Sequence, residues 1–153
     1  MRFQSTSERL QDLHAVLARV PDDPAVVLLG PPGAGKSTLL RHYELETART
    51  VLAAGGDLNA GPLTFFVPLN DYKPPHPGAA LPLPGAWLAA RWGTQYAALP
   101  ALETLLQTGR LTLLLDALNE MPADLLPLWR DWLHTLAREA PGTRVIFSCR
   151  SLD

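Results

Sequence analysis

The chain has 153 residues, 47% of them apolar and 18% charged, with a formal net charge of −2. That length supports one domain with one sizeable core, and the near-neutral balance excludes a broad basic surface for nucleic acid. A single cysteine, Cys149, excludes an internal disulfide and fits a reducing compartment.

No apolar run reaches the length of a membrane span, and Met1-Arg2-Phe3-Gln4-Ser5 lacks the apolar centre of a secretion signal, so the expected location is cytoplasmic, without membrane association. The first predicted element is a helix over residues 7–20, with Leu10, Leu13, Val16, Leu17 and Val20 on one face and a capping box from Ser5 and Glu8. Pro21-Asp22-Asp23-Pro24 breaks it, so residues 1–24 read as an N-terminal helix and linker and 25–153 as the core domain. Ala25-Val26-Val27-Leu28-Leu29 is a buried-strand run, and a helix is predicted from Ser37 to about Leu52.

Between that strand and helix lies Gly30-Pro31-Pro32-Gly33-Ala34-Gly35-Lys36-Ser37, followed by Thr38. Gly, four residues, then Gly-Lys-Ser is the P-loop pattern in its required strand-to-helix setting. Its glycines free backbone N–H groups to converge on phosphate oxygens, and the helix N-terminus adds partial positive charge. Lys36 can reach the outer phosphates and the Ser37 hydroxyl can ligate Mg²⁺. The chain has two lysines against eleven arginines, so a lysine after Gly35 stands out from the background. A compact ammonium suits this position better than a planar guanidinium.

The second strand is Leu63 to Leu69, where Pro68 marks an edge or the end of pairing. Five prolines within 71–85 predict an irregular, stiff surface loop, favoured over a proline-rich ligand for a partner. Two short helices follow near 86–97 and 100–108, the second with Pro100 in its first turn. Leu111-Thr112-Leu113-Leu114-Leu115-Asp116 is a strand buried on both faces. Residues 124–139 form an amphipathic helix with Leu125, Trp129, Trp132, Leu133 and Leu136 on one stripe and Asp124 as its cap. Thr143 to Ser148 is the fourth strand.

This alternation predicts an α/β fold, a parallel sheet with helices on both faces. Ligands in such sheets bind beyond the carboxyl ends of the strands, where the P-loop, Asp116 and Arg150 all fall. Asp116 can hold Mg²⁺ directly or through water, the Walker B arrangement. Glu120, four residues on, can orient and activate the attacking water, and Arg150 can sense the γ-phosphate. His14, His42, His76 and His134 show no metal-binding spacing, and nothing supplies a base to activate Cys149.

Leu113-Leu114-Leu115-Asp116-Ala117-Leu118-Asn119-Glu120 resembles the extended Walker B segment of NACHT-type signal-transducing ATPases. Phe66-Val67-Pro68-Leu69-Asn70-Asp71-Tyr72 and Val145-Ile146-Phe147-Ser148-Cys149-Arg150 resemble the second strand and the sensor strand of the same family. The resemblance runs from about Val26 to Arg150. Two positions depart from the pattern: Asn119 stands where the family often has aspartate, removing a charge near the metal, and Ala117 replaces a commoner glycine.

The resemblance implies a three-layer P-loop NTPase fold, with the sensor strand between the P-loop and Walker B strands and a fifth strand flanking the P-loop strand. It also implies a helical lid, a winged-helix domain and a repeat-built sensor in the rest of a larger switch protein, with oligomerisation on activation. On this reading the sheet is incomplete at its C-terminal end and the P-loop edge is open, which predicts association through it or marginal stability. The leading expectation is an ATP-binding switch with slow Mg²⁺-dependent hydrolysis. The alternatives are a small P-loop kinase of a nucleotide or metabolite, and a nucleotide-binding scaffold without turnover. No Asn-Lys-x-Asp segment for guanine occurs, which favours ATP over GTP.

Overall fold

The computed structural model describes residues 12–151. Its first element is helix α1, Leu13–Arg19. Asp12 is extended, and its side chain accepts a hydrogen bond from the His14 N–H at 2.9 Å, so it caps the helix. Within the described residues the helix expected over 7–20 spans Leu13–Arg19; residues 7–11 and the Ser5–Glu8 capping box lie outside the described residues. Leu13 and Leu17 are buried, as their shared face requires.

Strand β1, Ala25–Gly30, leads through the glycine-rich loop into helix α2, Lys36–Ala53. Strand β2 follows at Leu63–Pro68, then a 3₁₀ turn at Leu69–Asp71. The proline-rich segment is irregular, as expected; the Tyr72 hydroxyl donates to the Pro82 carbonyl at 2.6 Å, and Arg91 pairs with Asp71 at 3.1 Å. Helix α3 spans Pro84–Gln95 and helix α4 spans Leu102–Gln107. Pro84 occupies the first turn of α3, whereas Pro100 precedes the N-cap Ala101 and lies outside α4. Its carbonyl instead accepts from the Trp92 indole N–H at 2.9 Å.

Strand β3 is Leu111–Asp116 and strand β4 is Arg144–Arg150, with helix α5, Leu126–Glu139, between them. Asp124 does not cap α5. A 3₁₀ turn over Ala123–Leu125 winds directly into the helix, and Leu125, the cap residue, is already in the right-handed helical region. A side-chain N-cap needs extended backbone at the cap, and none is present here.

All strand pairs are parallel, and the sheet order is β1-β4-β3-β2. Pro68 closes β2 at the sheet edge, where a missing N–H costs least. The sensor strand β4 lies between the P-loop strand β1 and β3, as the resemblance implies. The implied fifth strand has no counterpart among the described residues, and β1 is the other edge.

Alternation along the strands divides the core into two layers. Phe65, Val67, Leu113, Leu115, Val145 and Phe147 pack with the helices α3, α4 and α5. Leu28, Phe66, Leu114 and Ile146 pack with Leu13, Leu17 and Leu40 from α1 and α2. In β3, Leu113, Leu114 and Leu115 are all fully buried, each stabilising the fold by about 1.5–3 kcal/mol. The tryptophan stripe is core: Trp129 meets Tyr72 edge-on at 5.1 Å and Trp87 at 6.1 Å. On β1, Val27 is 39% and Leu29 67% exposed, so the edge strand leaves apolar side chains uncovered.

Candidate functional site

The sheet brings the carboxyl ends of β1, β4 and β3 side by side, and each contributes one part of a polar cluster. The loop leaving β1 turns through Gly33 (φ 76°) and Gly35 (φ 81°), both left-handed, where an L side chain would be strained. Gly30 is required for a different reason. A Cβ there would meet the Ala34 Cβ at 3.3 Å and the Lys36 side chain at 3.7–3.8 Å.

The N–H groups of Gly33 and Gly35 have no hydrogen-bond partner among the described residues, while Ala34 N–H donates within the loop to Pro31 at 3.2 Å. Lys36 Nζ folds over the loop and donates to the carbonyls of Gly30 (2.7 Å) and Pro31 (2.9 Å). The loop thus combines a cation held on its own carbonyls with unpaired N–H donors, a set of groups suited to an anion with several oxygens.

Ser37, in the first turn of α2, and Asp116, the last residue of β3, meet across the sheet. The Ser37 Oγ lies 2.9 and 2.8 Å from the two carboxylate oxygens of Asp116. Two hard oxygen donors fit a magnesium-sized cation that takes its remaining ligands from phosphate and water. No group of three or more His, Cys, Asp or Glu side chains able to hold a metal occurs among the described residues.

The remaining sequence candidates sit nearby with looser ties. Arg150 is the last residue of β4, exposed, with Gly30 as its register partner. Thr38 is exposed on the first turn of α2. Glu120 ends a 3₁₀ turn over Leu118–Glu120; its carboxylate is exposed and makes no hydrogen bond or ion pair among the described residues.

Asn119 differs from expectation. Its side-chain oxygen accepts the Arg150 N–H at 3.0 Å, so it ties down the sensor strand and is not simply a lost charge near a metal. Ala117 also has a second reason to be small, because its φ of 62° is left-handed and the commoner glycine would suit it.

Ser148 escaped the sequence reading. It is only 2% exposed, it accepts the Ala117 N–H at 2.8 Å, and it donates to Asp116 Oδ1. Its signal was a lone hydroxyl in the apolar run Val145-Ile146-Phe147-Ser148.

No helix among the described residues is long and apolar enough to cross a membrane. No curated protein matches the sequence. The NACHT domain matches residues 24–152, most of the chain. With its parallel four-stranded sheet and its phosphate loop, the chain belongs to the NACHT domain family, and is therefore a nucleotide-binding P-loop NTPase domain.

Proposed function

We propose that the domain binds ATP with Mg²⁺, hydrolyses it slowly, and serves as the switch of a larger signalling protein. The observation that carries this reading is the meeting of Ser37 and Asp116. They stand 79 residues apart in sequence and 2.8–2.9 Å apart at the mouth of the loop that holds Lys36.

In this reading the free N–H groups of the loop bind the phosphates and Lys36 moves from its two carbonyls to the outer phosphates. Ser37 and Asp116 would hold Mg²⁺, which would neutralise charge on the β- and γ-phosphates. Arg150 reads the γ-phosphate and steadies the charge that builds on it. Glu120 accepts a proton from the attacking water. The new bond joins water oxygen to γ-phosphorus, the bond to the β-phosphate oxygen breaks, and ADP and phosphate leave. Residues 1–24 serve as an N-terminal helix and linker, and 25–153 as the nucleotide core.

The test is calorimetric titration with ATP, then GTP, in Mg²⁺. Lys36→Ala is expected to weaken ATP binding by roughly a hundredfold, from loss of two charge-assisted contacts. ATP binding that ignores Lys36 would remove the loop from the site.

One observation favours a second reading, nucleotide binding without turnover. Glu120 is exposed and tied to nothing among the described residues, so no contact aims it at a water. Phosphate release by the unaltered chain separates the two, and Glu120→Gln tests the base. Binding is preserved in both, and the first expects hydrolysis to slow about a hundredfold. Unchanged turnover excludes Glu120 from the mechanism.

A further inference from the structure

We infer that Ser148 and Asn119 are positioning residues, which bridge the exit turn of β3 to the end of β4 so that Asp116 and Arg150 respond to bound nucleotide as one unit. The inference rests on the nucleotide-binding reading above.

Its basis is where the sheet stops. Backbone pairing between β3 and β4 ends at Leu115 and Phe147. Beyond that point β4 runs on for three residues, paired with β1 as far as Gly30 and Arg150. On the β3 side the chain swings away at Ala117, whose left-handed backbone turns it into the 3₁₀ turn. The N–H groups of Ala117 and Arg150 are left without ladder partners across this gap.

Two side chains replace the ladder. Ser148 Oγ reaches from β4 to accept the Ala117 N–H, and Asn119 Oδ1 reaches back to accept the Arg150 N–H. One bond crosses the gap in each direction. They fix the turn and the strand end relative to each other at two points, which prevents hinging about either.

Ser148 also sets the carboxylate. Its oxygen is occupied by the Ala117 N–H, so its single proton is directed to Asp116 Oδ1. Ser37 holds the same carboxylate from the opposite element. A buried hydroxyl is costly unless bonded, and at 2% exposure Ser148 has both roles filled by the site. The oxygen donors offered to a cation are therefore aimed by a residue that need not touch the cation.

The experiment pairs amide hydrogen exchange on the nucleotide-free protein with calorimetry of ATP and ADP, each with Mg²⁺ and with EDTA. Ser148→Ala is expected to speed exchange at Ala117, to leave ATP affinity in EDTA unchanged, and to shrink the gain from Mg²⁺ about tenfold. Asn119→Ala is expected to speed exchange at Arg150 and to lower the preference for ATP over ADP. Asn119→Asp keeps an acceptor and should restore Arg150 protection.

A full Mg²⁺ gain in Ser148→Ala, or exchange at Arg150 as fast in Asn119→Asp as in Asn119→Ala, overturns the inference. Absence of nucleotide binding in the unaltered chain overturns the positioning role together with the nucleotide reading. Unchanged exchange at both amides in the variants overturns the bridge on its own.

Discussion

Gly30 and Arg150 are register partners across β1 and β4, and the Ser151 N–H donates to the Gly30 carbonyl at 3.1 Å. The first glycine of the phosphate loop and the arginine that ends the sensor strand are therefore neighbours through main chain. The Arg150 side chain therefore starts beside the root of the loop, which suits the proposed contact with a terminal phosphate. Arg150→Ala is expected to lower ATP affinity about tenfold and to leave ADP affinity unchanged, read by competition calorimetry. Equal losses for ATP and ADP would place the guanidinium away from the γ-phosphate.

Ala117 carries backbone strain that substitution can relieve or increase. Its φ of 62° costs a side-chain-bearing residue about 1–2 kcal/mol, part of which glycine returns in chain entropy. Ala117→Gly should raise stability by about 0.5 kcal/mol, whereas Ala117→Val, branched at Cβ, should lower it by about 2 kcal/mol. Urea unfolding of both variants measures this. A glycine variant less stable than the parent would mean that the turn is not left-handed in solution.

Tyr72 predicts an alkaline limit. It is buried and donates to Pro82, and burial pushes its pKa above the ordinary 10.0. Below about pH 10 both folded and unfolded tyrosine keep the proton and the stabilisation is complete. Above that pH the unfolded side chain ionises first, so stability falls as pH rises through the folded pKa. Tyr96 moves the same way, by desolvation and then repulsion from Glu44, with Arg41 opposing. Tyr72→Phe should cost about 1 kcal/mol at neutral pH and flatten the decline above about pH 10, followed by urea unfolding across that range. An equally steep decline in the variant would assign the limit to other groups.

The open β1 edge predicts self-association. Val27 and Leu29 leave apolar surface beside backbone groups that no other strand pairs among the described residues, a template for another strand. Sedimentation velocity of the isolated chain should depend on concentration, and Leu29→Lys should weaken that dependence. Because Leu29 is 67% exposed, the change should alter stability by less than about 0.5 kcal/mol. A monomer at every concentration would count against association at this edge.

What the sequence revealed was local. The glycine spacing marks the phosphate loop because each left-handed turn needs its own glycine, and the apolar run into Asp116 marks a strand buried on both faces. Pro68 gave the edge because a missing N–H is a local property. Ser148 and Asn119 were hidden because their partners lie 31 residues away on a neighbouring element, and strand register decides the match. Asp124 misled because a good capping side chain sits on backbone already coiled as a 3₁₀ turn. The same blindness covered the left-handed Ala117, whose strain lies in the backbone and not in residue type.

Among the described residues the phosphate loop hangs from a strand with a neighbour on one side only. Where nucleotide binding rigidifies that loop and a strand added to β1 rigidifies its root, the two events share one conformational cost. Whichever binds first lowers the cost for the other, and by thermodynamic reciprocity each tightens the other by the same factor. The exposed edge and the phosphate site, on different surfaces, are then two inputs to a single equilibrium.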